Sequence, residues 1–108
     1  MMKTKQVTYD IREKTKLTLE IESLMNDNKS LSEIVSGCLR KGFEIMEKAW
    51  LDNNKKPINY KPKIRNTLPV KLVIPMDVLE SLEDYSEKLG ILTSHLVMLS
   101  VEIVLNKR

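Results

Sequence analysis

Hydrophobic and polar positions along this chain change period in a fixed order, and the same order occurs twice. In the more regular stretch, Val70, Leu72 and Ile74 alternate with Lys71 and Val73, the period of a half-buried strand. Pro75 holds Ile74 extended and suits the first position of a helix. Val78, Leu79, Leu82, Tyr85 and Leu89 then recur at helical spacing, while Asp77, Glu80, Glu83, Asp84 and Glu87 make the opposite face acidic. Gly90 is a helix stop, and Thr93 or Ser94 is expected to cap a last helix. Eight of the ten residues 96–105 are apolar, so this helix is expected to be buried all round at the centre of the assembly.

A less regular version runs from about Gln6 to Trp50. Val7, Tyr9 and Ile11 alternate with Gln6, Thr8, Asp10 and Arg12, again the pattern of a strand with one buried face. Leu17, Ile21, Leu24 and Met25 then suggest a helix over 14–26. Lys16 to Ile21 also alternates and could be a strand. The helix is preferred, because a strand ending at Ile21 leaves only about eight residues before the next helix begins. After the polar turn 26–29, Ser30-Leu31-Ser32-Glu33 reads as a capping box opening a helix to about Leu51. That helix carries Ile34, Val35, Cys38, Leu39, Met46 and Ala49 on one side. Gly37 and Gly42 inside it each cost about 1 kcal/mol relative to Ala, which points to close approach of another helix or to a merely weakened one.

Length and composition narrow the class. A chain of 108 residues can bury a real core. With 31 % charged and 5 % aromatic residues and few Gly or Pro, the chain reads as a globular, mostly helical protein. The fold class is therefore mostly α with a short antiparallel β-ribbon. It divides into a first copy at 1–52, a basic linker at 53–67 and a second copy at 68–108, the two copies sharing one core. No secretory signal is read at the start, and the apolar run 96–105 is too short to span a bilayer. The single Cys38 excludes an internal disulfide and fits a reducing cytoplasm.

The net charge of +3 is unevenly spread. Residues 1–52 carry nine basic and nine acidic side chains, and 72–108 carry three and six. Residues 53–71 carry Lys55, Lys56, Lys61, Lys63, Arg65 and Lys71 with no acid. A segment of one sign is the footprint of something meeting phosphate. Pro57 and Pro62 make the linker at 53–67 fairly extended, and about fourteen residues can span about 40 Å.

Strand, helix, turn and helix, with Val70-Lys71-Leu72-Val73-Ile74-Pro75, Gly90 and the Ser30–Glu33 box, resembles the ribbon-helix-helix superfamily. That family includes the Arc and MetJ type of repressor. The resemblance covers roughly 5–50 and 70–106. It implies that two strands pair antiparallel into a ribbon that enters the major groove of double-stranded DNA. Strands 6–12 and 70–74 could pair within one chain as a pseudo-dimer, or like strands could pair between chains.

On that implication Gln6, Thr8, Asp10, Arg12 and Lys71 are the candidates for reading base edges. Gln6 suits adenine, Arg12 suits guanine, and Thr8 suits either edge or a thymine methyl. Asp10 either accepts from cytosine or pairs with Arg12. Lys5, Ser30, Ser32, Thr93 and Ser94 are candidates for phosphate contacts near helix N-termini. Leu92 stands where the first copy has Ser30, which weakens the second clamp. Lys55, Lys56, Lys61, Lys63 and Arg65 would follow the backbone or enter a flanking minor groove.

Plainer roles suit the remaining chemistry-bearing residues. His95 has no ligand-spaced partner and reads as a surface or capping residue. Cys38, the six methionines, Phe43 and Trp50 read as packing, though Trp50 could mark a protein contact. No catalytic constellation, metal cluster or cofactor motif is present in the sequence, so an enzyme is not expected. The expected partner is double-stranded DNA, with self-association along repeated sites. The roles open are small repressor and plasmid accessory factor at a transfer origin or partition site. The other class is a helical interaction module such as an antitoxin or adaptor. An antitoxin usually adds a toxin-binding tail, and the sequence ends within three residues of the last helix.

Overall fold

In the computed structural model, which describes residues 3–106, the chain runs strand, helix, helix and then strand, helix, helix. The elements are β1 Thr4–Arg12, α1 Glu13–Met25, α2 Leu31–Asp52, β2 Thr67–Pro75, α3 Met76–Leu89 and α4 Thr93–Asn106. The rival strand at Lys16–Ile21 does not form, since those residues lie within α1. Each strand passes directly into its helix, with Arg12 and Pro75 at the N-cap positions and extended in conformation.

β1 and β2 pair antiparallel within the chain, Thr4 opposite Pro75 and Arg12 opposite Thr67. Both strands are nine residues long, so the register is symmetric about the Thr8–Lys71 pair. Ile11, Val70, Leu72 and Ile74 are buried on the inner face, with Val7 and Tyr9 half-buried beside them. The alternation in the sequence predicts this face. Pro69 is tolerated in the ribbon because its nitrogen shares the parity of the Val73 amide, which points off the edge rather than into the ladder.

The helices cross over the ribbon: α2, from the first half, packs on β2, and α4, from the second half, packs on β1. One core cluster takes Ile11, Leu19, Val35 and Leu39 from the first half and Leu72, Leu82, Leu89, Val97 and Val101 from the second. α2 and α4 touch at Gly42, where an added Cβ would lie 2.8 Å from Ser100 Oγ. Gly37 meets nothing within 4 Å, so close approach accounts for only one of the two glycines. α2 also packs on α3, through a Phe43–Tyr85 stack at 5.4 Å and Lys88 Nζ 4.9 Å from the Trp50 ring.

Two apolar helix faces reach solvent, and for α4 this corrects the expectation of burial all round. The stripe Leu17, Ile21, Leu24 and Met25 of α1 faces solvent, because the helix rests on the protein through its other side, at Thr15 and Leu19. α4 is not buried all round: Leu99 is half-buried and Ile103 exposed, because no element covers that edge. Among the described residues no single helix is long and apolar enough to cross a membrane.

The segment between α2 and β2 is held against the rest of the protein as a strap. Ile58 and Asn59 donate their amides to Leu89 O at 2.8 and 2.9 Å, and Pro62 is buried. Asn66 O accepts from the Glu13 amide at 2.8 Å. Gly90 ends α3 with φ +67° beneath Asn59, so the helix stop and the strap occupy one place.

Candidate nucleic-acid interface

The outer face of the ribbon presents Thr4, Gln6, Thr8 and Asp10 from β1 beside Pro69, Lys71 and Val73 from β2, all exposed. Gln6 lies opposite Val73, Thr8 opposite Lys71 and Asp10 opposite Pro69. Side chains of one parity stand on one side of a pleated ribbon, so these residues approach a flat target together. The face carries one acid and one base. Lys5 has the inner parity, opposite Ile74, yet is exposed near the end of the strand.

Arg12 is placed differently from the other reading candidates. Its Nη1 is bound by both carboxylate oxygens of Glu102 on α4, and Nη2 donates to the carbonyl of Lys63 in the strap. Thr15 Oγ1 donates to the same carboxylate at 3.3 Å. The guanidinium is thus engaged in joining β1, α4 and the strap. The expected alternative of an Arg12–Asp10 pair is replaced by Arg12–Glu102, separated by 90 residues in sequence.

The N-terminus of α2 sits at the edge of β2. Ser30 is its N-cap and accepts from the Glu33 amide at 3.1 Å, the Ser30 half of the expected box. Ser32 Oγ accepts the Val73 amide at 2.8 Å, satisfying a ribbon N–H that the ladder leaves outside. Ser30, Ser32, Glu33, Ser36, Arg40 and Val73 line one open concavity here, which thus carries one acid and one base. Arg40 was not among the sequence candidates. The signal was present, since Ser32, Ser36 and Arg40 recur every four residues on one helix face. Arg40 also pairs with Asp77 at 3.3 Å, an exposed contact.

At the start of α4 neither Thr93 nor Ser94 takes the expected cap position. Leu96 donates its amide to Leu92 O at 3.0 Å, so Leu92 takes the cap position and Thr93 and Ser94 are the first two helical residues. A leucine side chain has no acceptor for the first-turn amides, so this helix start lacks the polar clamp that Ser30 gives α2. His95 lies in the same turn, with Nδ1 buried and without a hydrogen-bond partner.

The basic side chains of the strap are all exposed but are not gathered in one place. Lys55 is tied to the last turn of α2, its amide bonded to Trp50 O at 2.9 Å, and the Lys56 carbonyl accepts from Asn53. Lys63 and Arg65 stand beside the Arg12 end of the ribbon, where the Lys63 and Asn66 carbonyls are held. Lys61 lies between these two anchored ends. Among the described residues no group of three or more His, Cys, Asp or Glu side chains is arranged to hold a metal ion.

No family model, curated protein or solved structure matches this chain.

Proposed function

We propose that this protein binds double-stranded DNA, laying the outer face of the β1–β2 ribbon in the major groove as a single-chain tandem ribbon-helix-helix unit. The observation that carries this reading is the ribbon itself. It is a two-stranded antiparallel pair, symmetric about Thr8–Lys71, with polar side chains exposed on one face and the amide-rich start of α2 at its edge. A ribbon of this width fits the major groove, and a helix N-terminus attracts phosphate. Gln6, Thr8 and Lys71 are the readers, with Asp10 accepting from a cytosine amine. Ser30, Ser32 and Arg40 hold one backbone, and Lys5, Lys63 and Arg65 the phosphates at the two ends of the ribbon. Arg12 serves the fold more than the reading. Occupying a site in this way suits a small repressor or a plasmid accessory factor at a transfer origin or partition site, acting in the cytoplasm. Footprinting on the DNA flanking its own gene separates these roles, because the position of the site names the role.

One observation favours a second reading, a helical interaction module of the antitoxin or adaptor kind: the outward apolar stripe of α1. Gel retardation on random duplex over a salt series tests between the two. Retardation that fades with salt supports DNA binding, whereas none at low salt leaves the interaction module.

A further inference from the structure

The α2/α4 pair carries a ridge next to a groove. Ser36 lines the ribbon-side concavity, and Ile45, nine residues on, projects to the opposite side of α2 at about 100° per residue. The ridge is α1, with Leu17, Ile21, Leu24 and Met25 between 48% and 76% exposed. Its Glu22 and Asn26 lie with Gly37 and Lys41 of α2 and Val104 of α4. One turn further along α2 the groove begins. Ile45 and Ala49 of α2, Leu99 and Ile103 of α4 and Ile58 of the strap wall a floor at Gly42, and Ser100 is its one polar lining residue.

We propose that the ridge of one copy seats in the groove of a second copy, and the second copy's ridge in the groove of the first, forming a closed two-fold dimer. Both surfaces are apolar and uncovered, and α2 borders both, so in the proposed dimer one two-fold rotation pairs each ridge with the other copy's groove. One edge of each carries side chains of opposite sign. Glu13 and Glu20, seven residues apart, flank the apolar stripe of α1, and Lys41 and Lys48, also seven apart, flank Ile45 on the open rim of the groove; all four are exposed. Equal seven-residue spacing is what pairs flanking charges along two packed helices. The existing Lys16–Glu20 contact is exposed and 3.8 Å long, and does not compete strongly. α3 offers no second ridge, because its outer face is acidic. Neither surface includes Gln6, Thr8, Asp10 or Lys71 of the outer ribbon face, so this proposal stands apart from DNA binding.

Light scattering coupled to gel filtration, over a concentration series, tests this. The wild type should weigh about twice its 12.5 kDa chain and no more. Ile21→Glu on the ridge and Ile103→Lys on the groove should each raise the dissociation constant by about 30-fold or more. Glu20→Lys and Lys48→Glu should each weaken the dimer and together restore it. These last two positions are exposed and carry the test if Ile103→Lys lowers the melting temperature. A monomer at every concentration, a dimer that survives both the groove variant and the charge reversals, or a mass that climbs past two chains would overturn the proposal.

Discussion

Gly42 of α2 lies directly against Ser100 of α4: a Cβ at position 42 would stand 2.8 Å from the serine Oγ and 2.9 Å from its Cβ. The Cβ cannot rotate away, so Gly42→Ala forces the two central helices apart. The overpacking costs about 1–3 kcal/mol, offset by about 1 kcal/mol of helix propensity. Gly37→Ala, with nothing within 4 Å, takes only the favourable term and should stabilise by up to about 1 kcal/mol. Thermal melts of the two variants should therefore move in opposite directions.

Ser100 Oγ is buried without a hydrogen-bond partner. Removing an unsatisfied buried hydroxyl releases its desolvation penalty, so Ser100→Ala should raise stability by about 1 kcal/mol in urea titration. A loss of stability would mean that the hydroxyl is satisfied in solution, for example by water entering the groove.

Arg12 and Glu102 tie β1 to α4, and the pair is only partly screened, with 29% and 19% of the two side chains exposed. Glu102→Gln should cost about 1–2 kcal/mol, between the values for surface and buried pairs. It also frees the guanidinium beside the ribbon. Duplex affinity at low salt should then rise although stability falls, which fluorescence anisotropy and melting would show on the same preparation.

The phenols of Tyr85 and Tyr9 are both held above the usual value of 10.0. For Tyr85 the first cause is burial, followed by its hydrogen bond to Glu47 and the charges of Glu47 and Asp84; for Tyr9 it is burial, then Glu83. A raised folded value means that the stability is fully present below about pH 10 and is lost as the pH climbs through the folded values. The melting temperature should fall above that point. Tyr85→Phe should cost about 1 kcal/mol at neutral pH and progressively less above pH 10, as the wild type loses what the variant never had.

Much of the fold is legible in local pattern. The strand alternation at Val7–Ile11 and Val70–Ile74 marks the inner face, Ser30 marks the start of α2, and Gly90 marks the end of α3. Periodicity, however, reports that a helix has an apolar side without saying what covers it, which is why α1 and the Ile103 edge of α4 turn outward unannounced. The strap is held by backbone bonds from Ile58, Asn59 and Asn66, groups that every residue carries and that no side-chain pattern encodes. The same limit hid the engagement of Arg12, whose partner lies 90 residues away. The outer ribbon face at Gln6, Thr8, Asp10 and Lys71 was legible because alternation alone assigns it. The four-residue spacing of Ser32, Ser36 and Arg40 puts them on one face of α2, but only the packing of α2 on β2 brings that face beside the ribbon.

The ribbon reading is tested most directly by equilibrium binding to labelled duplex over a salt series, comparing wild type with Lys71→Glu. Lys71 is exposed at the centre of the ribbon, opposite Thr8, so the substitution leaves the core untouched. The wild type should bind at low salt and weaken along a straight log–log line with a slope of about −0.9 per phosphate contact. Lys71→Glu should lose binding by tenfold or more while keeping its melting temperature to within a few degrees. No binding of the wild type at low salt, or equal binding by the two proteins, would contradict it.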